Sequence, residues 1–341
     1  MSTNQGPKPL STLFTETVGC QYPIIAGPMF LVSDEKLVSS VSSAGALGAM
    51  PSLNWRSTAD FRAAVEKVKS LTDKPFGVNL IVNKSAPRVE ADLEVCAELK
   101  VPVVITSLGN PKKVIEKMHA VGSKVLCDVT TLAYAKKVEA LGADGVVAVC
   151  AGAGGHAGET SPLVFIPYLK QHLKIPIVAA GGIVRGDQMA AVLMLGASAV
   201  QIGTRFIASN EANVHDDYKN AIVKAQPEDI VLTRKLSGVP ASVIKTPYIE
   251  KIGVDLNPVE SFLHKHEFSK RAMKMLRFYL GKVQLEKAVS LPTWKQVWGA
   301  GQGAGLIDEI LPAGDIVRKL MEEYYSSSVP KSGGGVGTTG E

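Results

Sequence analysis

Residues 145–158, Gly-Val-Val-Ala-Val-Cys-Ala-Gly-Ala-Gly-Gly-His-Ala-Gly, join an apolar run to a glycine-rich loop that carries a histidine. The run 145–150 is typical of a buried parallel strand, because strands covered on both faces are apolar without alternation. His156 is therefore predicted to lie at the carboxyl end of a strand, where α/β proteins place functional residues. The surrounding glycines allow positive φ angles and a close approach of the backbone to a ligand.

Seven further apolar runs alternate with segments of helical periodicity on both sides of this stretch. They lie at residues 23–29, 48–50, 76–82, 101–108, 125–129, 176–182 and 199–206. Two helix ends repeat one pattern, since Leu-Gly-Ala precedes an apolar strand at both 141–143 and 195–197. Eight βα units with continuously apolar strands predict an α/β protein with a (β/α)8 TIM barrel rather than an open sheet.

The alternation stops after residue 206, and this break predicts the domain organisation. We expect the barrel to comprise residues 11–206 plus 286–325. Residues 207–285 are longer and more polar than a βα loop, which favours a mostly helical insertion that covers the barrel mouth as a lid or substrate domain. The low-complexity residues 326–341 are expected to form a disordered tail.

Composition bounds the class of protein. The 341 residues carry a mild net charge of +5 with scattered Lys and Arg, so nothing favours binding to nucleic acid. The four cysteines form no Cys-x-x-Cys pair, which favours reduced thiols in a cytoplasmic protein over disulfides or zinc. No uncharged run approaches membrane-spanning length, and the first ten residues lack a signal-peptide pattern. We therefore expect no membrane partner, and a homodimer is compatible with the sequence.

Two features of the predicted insertion have an ordinary explanation and a functional one. His264-x-His266 has metal-ligand spacing, but no carboxylate or Cys cluster accompanies it, so we expect a solvated helix end and no metal site. The basic stretch is typical of a solvated helix face, and docking of an acidic carrier protein is the alternative. It contains Lys270, Arg271, Lys274 and Arg277.

Glycine pairs at the ends of the last two predicted strands indicate a phosphate site. Gly181-Gly182 and Gly203-Thr204 lie where TIM barrels bind phosphate with backbone N–H groups. Two tight turns without a ligand would give the same pattern, and we favour the phosphate site because the strands are adjacent. Gly152-x-Gly154-x-x-Ala157 formally matches a dinucleotide fingerprint, but the next strand lacks the acidic residue that would bind a ribose. A histidine beside a phosphate site is more often functional than structural.

Six short motifs follow one another along the chain. They are Ala-Gly-Pro-Met (26–29), Pro-Phe-Gly-Val-Asn-Leu (75–80), Ala-Gly-Gly-His-Ala-Gly (153–158), Ala-Gly-Gly-Ile (180–183), Gln-Ile-Gly-Thr-Arg-Phe (201–206) and Gly-Gln-Gly-Ala-Gly-Leu-Ile (301–307). In this order they resemble the nitronate monooxygenase family, whose members are FMN-dependent TIM barrels. The resemblance covers roughly residues 11–325, and the same motifs occur in FMN-dependent enoyl-acyl-carrier-protein reductases and NADH:quinone reductases.

The resemblance implies FMN as the cofactor and a role for each matching residue. The phosphate would lie on the amides of Gly182, Gly203 and Thr204. Asn79 would hydrogen-bond the flavin from inside the barrel, and His156 would be the catalytic histidine that faces the substrate. The other implied cofactor-binding residues are Pro28 and Met29 against the ring, Gly152 in the sixth loop, Gly181, Gln201 and Ile202 near the phosphate, and Asp128.

Two positions depart from the family pattern. Related sequences often carry Gly-Gly-Met where this chain has Gly27-Pro28-Met29. The fifth strand ends in Asp128, where many relatives have Gln or Lys near the flavin. If this carboxylate faces inward, it would make the pyrimidine end of the ring less electron-accepting, which leaves the electron donor open.

The leading hypothesis for function is oxidation of alkyl nitronates or nitroalkanes with O2 to a carbonyl compound and nitrite. His156 would act as the base or orient the substrate. The first alternative keeps the fold and is an NAD(P)H-dependent FMN reductase of quinones or enoyl-acyl-carrier-protein thioesters. The second alternative is a flavin-binding protein without turnover, which would leave His156 without a substrate cavity.

Overall fold

Eight parallel strands close into a barrel in the order β1-β2-β3-β4-β5-β6-β8-β9. The computed structural model describes residues 6–83, 86, 88–233, 240–254 and 297–327, and elements are numbered over these residues. The predicted TIM barrel is confirmed. The barrel strands are β1 (Ile24–Ala26), β2 (Leu47–Pro51), β3 (Phe76–Ile81), β4 (Val103–Ser107), β5 (Lys124–Val129), β6 (Gly145–Val149), β8 (Ile177–Ala180) and β9 (Ala199–Ile202).

Helices cover the outside of the barrel, and the last of them packs against α8 and α2. The described helices are α1 (Leu13–Val18), α2 (Glu35–Ser43), α3 (Thr58–Leu71), α4 (Val89–Glu98), α5 (Lys112–His119), α6 (Leu132–Ala140), α7 (Pro162–Lys170), α8 (Gly186–Met194), α9 (Thr204–Ile207), α10 (Asp216–Lys224), α11 (Pro247–Ile252) and α12 (Ala313–Ser326). Among the described residues, no helix combines the length and the apolar character that crossing a membrane would require.

The interior of the barrel is apolar at its amino-terminal end and polar at its carboxyl-terminal end. Phe14 of α1 closes the bottom and is fully buried against the inward-facing side chains. Those apolar side chains include Ile25, Leu47, Ala49, Val103, Ile105, Leu126, Val147, Val178 and Ala199. Because side chains alternate along a strand, the residues two positions after the last of these on β4, β5 and β9 also point inward, near the mouth.

The eighth predicted strand is shorter than expected. The run 199–206 was predicted to be extended throughout, but β9 ends at Ile202 and α9 begins at Thr204. Gly203 adopts φ −104° and ψ −67°, and its carbonyl accepts a hydrogen bond of 2.8 Å from the Phe206 amide. The chain therefore turns into a helix directly at the barrel mouth.

The described part of the predicted insertion contains a β-sheet as well as helices. Strands β10 (Ile230–Thr233) and β11 (Ala241–Ile244) pair antiparallel, and β11 continues the sheet to β7 (Gly155–His156). Half or more of the residues in β10 and in β11 are β-branched, and such residues favour extended backbone. The helical prediction is thus incomplete here. The basic stretch at 270–277, the His264-x-His266 pair and the tail after residue 327 lie outside the described residues.

Candidate functional site

The loop after β1 lies next to the loop after β9 at the barrel mouth. The Gly27 amide donates a hydrogen bond of 2.9 Å to the Ile202 carbonyl. A Cβ atom added at Gly203 would lie 3.5 Å from Met29 Sδ, so the Met29 side chain is in contact range of Gly203. Two of the predicted cofactor-binding segments, 28–29 and 201–204, are therefore neighbours in the structure.

A side chain that the sequence did not single out, Asn54, holds the loop after β1. Its Nδ2 donates hydrogen bonds to the carbonyls of Ser33 (2.7 Å) and Met29 (3.3 Å). Its Oδ1 accepts from the Leu31 amide at 2.8 Å. Leu31 has φ +59°, an uncommon conformation for a residue with a large side chain. Asn54 therefore fixes the backbone on which Met29 is presented.

Asn54 is in turn held by a buried ion pair behind it. Arg88 donates hydrogen bonds to the carbonyls of Trp55 (2.6 Å), which follows Asn54, and of Ser52 (3.0 Å), two residues before it. The same guanidinium pairs with the Asp92 carboxylate at 3.0 Å, and the Asp92 side chain is only 1% exposed. This arrangement gives the loop after β2 a rigid attachment to α4.

Three polar side chains from adjacent strands form a hydrogen-bonded chain inside the barrel mouth. Asn79 on β3 donates from Nδ2 to Ser107 Oγ on β4 at 2.7 Å, and to the Ile105 carbonyl at 3.1 Å. Ser107 Oγ donates to Asp128 Oδ2 on β5 at 2.5 Å. Asp128 thus faces inward, which is the condition stated above for an effect of its carboxylate on a bound ring.

Burial perturbs the titration of the Asp128 carboxyl. Burial raises its pKa from 3.8 to about 6, and the hydrogen bond from Ser107 opposes this rise. Its Oδ1 atom is buried and has no hydrogen-bond partner among the described residues. A buried acceptor without a partner is costly unless a ligand satisfies it. The site therefore offers a ligand the Oδ1 atom of a carboxyl group whose pKa is closer to neutral pH than that of an ordinary Asp.

Gln201 presents a second polar atom of this kind. Its Oε1 is buried without a partner among the described residues, and a Cβ at Gly27 would lie 3.2 Å from its Cγ. Glycine at position 27 therefore leaves room for the Gln201 side chain. Ile202, by contrast, buries its side chain in the outer core, so its main chain alone can serve the site.

The glycine turns predicted to bind phosphate meet at the mouth, with one difference from the expected roles. Gly181 and Gly182 have φ +129° and +71°, and a Cβ at Gly182 would point into open space. The Gly182 amide, however, donates to the Gly152 carbonyl at 3.1 Å. Because the Gly182 amide already has an acceptor within the protein, the amides of Gly203 and Thr204 become the main candidates for phosphate binding.

The sixth loop packs backbone to backbone against the segment that follows the insertion. A Cβ at Gly301 would lie 2.3 Å from the Gly152 carbonyl oxygen, and a Cβ at Gly154 would lie 2.8 Å from the Gly301 amide. The Gly301 amide also donates to Thr204 Oγ1 at 3.0 Å. The Thr204 hydroxyl therefore binds the protein, and the motif at 301–307 closes the site from outside the barrel.

The main chain of His156 belongs to the small sheet rather than to the barrel. It lies in β7, where His156 is paired with Ala241 and Gly155 with Ser242 of β11. The described part of the insertion thus holds the backbone of the predicted catalytic residue. Its catalytic role stays a prediction.

The donors, acceptors and open space at the mouth fit a flat heterocycle carrying a phosphate. Polar atoms without partners lie inside the mouth on β5 and β9, and glycine turns leave space beside them on β8 and β9. No group of three His, Cys, Asp or Glu side chains able to hold a metal is found in the described ranges. The residues present therefore suit a flavin-type cofactor.

Comparison with known proteins agrees with this geometry. A model of the nitronate monooxygenase family matches residues 11–94 and 86–323. The nitronate monooxygenase of Pseudomonas aeruginosa is 30% identical over 357 residues, covering 91% of this chain and 98% of that protein. The structure of FabK from Thermotoga maritima superposes with a TM-score of 0.78 and 37% identity, covering 93% of this chain and 96% of that one.

A third relative carries out another named reaction. The (3aS,4S,5R,7aS)-5-hydroxy-7a-methyl-1-oxo-octahydro-1H-indene-4-carboxyl-CoA dehydrogenase of Rhodococcus jostii is 34% identical over 243 residues. These residues cover 71% of this chain and 68% of that protein. The family match spans nearly all of the described residues, and the barrel with its polar mouth is the architecture that the motifs predict. The chain belongs to the nitronate monooxygenase family and is a flavin-dependent oxidoreductase.

Proposed function

We infer that the protein oxidises alkyl nitronates with O2 to a carbonyl compound and nitrite. The observation that carries this proposal is the match of the nitronate monooxygenase family model to residues 11–94 and 86–323, nearly the whole barrel. The substrates are a small nitronate or nitroalkane and O2. We propose a cytoplasmic enzyme that binds no nucleic acid, with a barrel at 11–206 plus 286–325 and an insertion at 207–285.

FMN is the proposed cofactor, because the mouth offers one glycine-lined phosphate position. Bound FMN would supply the electron-accepting ring that oxidises the substrate and passes electrons to O2. The amides of Gly203 and Thr204 would bind the phosphate, and the turn at Gly181–Gly182 would leave it room. Pro28 and Met29 would lie against the ring. Asn79, Asp128 and Gln201 would contact it from inside the barrel.

His156 is proposed as the residue that acts on the substrate. A neutral nitroalkane must lose its α-proton before it can donate electrons, and an imidazole with a pKa near ~6.5 can accept that proton at neutral pH. Towards a nitronate, which has already lost this proton, the side chain would only orient the anion. The pairing of β7 with β11 supports this role, because it gives the His156 backbone, in the loop after β6, a defined partner strand.

A second candidate function is an NAD(P)H-dependent reductase of quinones or enoyl thioesters. The relative from Rhodococcus jostii favours it, because that protein is named as a dehydrogenase of a coenzyme A thioester. Both candidates use the same fold and the same flavin. They differ in which molecule delivers electrons to the ring.

Anaerobic mixing of the flavin-loaded enzyme with each electron donor separates the two functions. We expect a nitronate to bleach the flavin absorbance at least as fast as the enzyme turns over in the steady state. NADH or NADPH should bleach it slowly or not at all. Admission of O2 should then restore the colour and release nitrite. Rapid bleaching by NADH with no response to the nitronate would overturn the proposal in favour of the reductase.

A further inference from the structure

The three hydrogen-bonded side chains lie across the barrel from the glycine turns. In the order of the closed barrel, β3 and β4 stand opposite β8 and β9, and β5 follows β4. A phosphate bound at Gly203 therefore leaves the rest of a mononucleotide to extend across the mouth towards Asn79, Ser107 and Asp128. Among these side chains, Asp128 has the atom without a partner.

The direction of each hydrogen bond in this chain is determined. The Asn79 atom near Ser107 also faces the Ile105 carbonyl, an obligatory acceptor, so it must be the donating Nδ2. Ser107 Oγ accepts from Asn79 and donates its single proton to Asp128 Oδ2. While Oδ2 accepts this bond, Oδ1 is the oxygen of the carboxyl that is left to carry a proton.

Within the part of the chain that the structure describes, no positive charge contributes to the Asp128 pKa. Its neighbours in the sheet are uncharged, since Ser107 of β4 donates a hydrogen bond to it and Val147 of β6 is paired with it. The titratable groups nearby are Cys127 and Tyr134, and burial raises the pKa of both, so both are neutral near pH 7. Burial alone is the main cause that moves the Asp128 pKa to about 6.

We propose that Asp128 takes up a proton from solvent when a flavin ring covers the barrel mouth, and that its Oδ1 then donates a hydrogen bond to a ring acceptor. Asp128 as a residue is partly exposed although its Oδ1 is buried, so covering the mouth desolvates the carboxyl group further, and desolvation favours the neutral form of a carboxyl. The rim of an oxidised flavin offers carbonyl oxygens and ring nitrogens as acceptors. This inference rests on the proposed flavin cofactor, and the proton returns to solvent when the flavin dissociates.

The proposal predicts that flavin affinity depends on pH through Asp128. If the flavin-bound protein prefers the protonated Asp128 carboxyl, the affinity for flavin is constant at pH values below about 6, the pKa of Asp128 in the flavin-free protein. The affinity then falls as the pH rises above this value. The fall approaches roughly tenfold per pH unit, up to about 100-fold between pH 6 and pH 8. Asp128→Asn replaces the acid by a neutral amide that also donates a hydrogen bond. In this variant the pH-dependent fall in flavin affinity that is due to residue 128 should vanish.

The experiment is a titration of the apoprotein with FMN, followed by quenching of flavin fluorescence, from pH 5.5 to pH 8.5. The FMN phosphate itself titrates near pH ~6, so the ratio of wild-type to Asp128→Asn affinity is the quantity to compare. Ser107→Ala is the second variant, because the hydrogen bond from Ser107 lowers the Asp128 pKa. In Ser107→Ala the pH at which flavin affinity begins to fall should be higher than in wild type. A variant that only damaged the structure would bind flavin more weakly without this shift in pH.

Binding in weak buffer with a pH indicator provides a direct readout. Wild type should take up protons on adding FMN at pH 7, beyond the uptake shown by Asp128→Asn. A pH-independent affinity ratio, or equal proton uptake, would overturn the role of Asp128 while leaving the flavin assignment intact. Failure of wild type to bind FMN at any pH would overturn the cofactor assignment and this inference together.

Discussion

Replacing Gly301 by alanine should separate two loops that meet at the site. The added Cβ would lie 2.3 Å from the Gly152 carbonyl oxygen and 3.0 Å from the Gly154 amide nitrogen. A carbon–oxygen contact normally requires roughly 3.3–3.6 Å, so the loops must move apart by about 1 Å. Overpacking of this kind costs about 1–3 kcal/mol of folding free energy.

The same displacement should reduce catalysis more than stability. Gly152 and the paired backbone of His156 belong to one loop, and a misplacement of about 1 Å can lower activity about 100-fold. We expect kcat/KM for the nitronate to fall by about that factor in Gly301→Ala, with a modest decrease in Tm. Steady-state kinetics and thermal unfolding of the flavin-loaded protein measure the two effects.

Gly299→Ala is the matched control in the same segment. A Cβ there would meet nothing closer than 3.9 Å, at the Gly155 amide and the Tyr218 hydroxyl. This variant should keep the activity and Tm of wild type. Wild-type kinetics in Gly301→Ala, or an equal loss in both variants, would refute the reasoning that the loops are held by a glycine contact.

Three further substitutions test other contacts. His156→Asn should lower kcat/KM for a neutral nitroalkane at least about 100-fold, but for the nitronate only about tenfold, with unchanged flavin content; equal losses would restrict His156 to positioning. Asn54→Ala should cost about 2 kcal/mol and weaken flavin binding by loosening the backbone of Met29; unchanged flavin affinity in a titration would contradict this. Asp92→Ala should lower the free energy of unfolding in urea by about 3 kcal/mol, since Arg88 loses its partner; a loss below about 1 kcal/mol would contradict it.

The barrel could be predicted from the sequence because its strands are continuously apolar and regularly spaced. Asn79 could also be singled out, since a polar residue inside an apolar strand needs a reason to be there. Ser107 gives the same signal at the end of β4 and was missed. Ser107 lies two residues after the inward-facing Ile105. Because side chains alternate along a strand, this spacing would have placed Ser107 in the barrel mouth.

Other parts of the site depend on contacts that local patterns do not encode. Asn54 contacts the Met29 carbonyl across 25 positions of the chain, and no motif marks such a contact. The two-residue strand β7 extends because β11 pairs with it from a distant part of the sequence. The end of β9 was misplaced because Gly203 is compatible with both a strand and a helical turn.

The flavin content and specificity of the purified protein test the central claim most directly. Apoprotein titrated separately with FMN, riboflavin and FAD should bind about one FMN per chain, because the mouth has one glycine-lined phosphate position. Riboflavin lacks the phosphate, and FAD adds an adenylate for which the sequence shows no acidic ribose-binding residue, so both should bind at least about tenfold more weakly. Equal affinity for FMN and riboflavin would contradict the phosphate site, and a protein that binds none of the three would contradict the account as a whole.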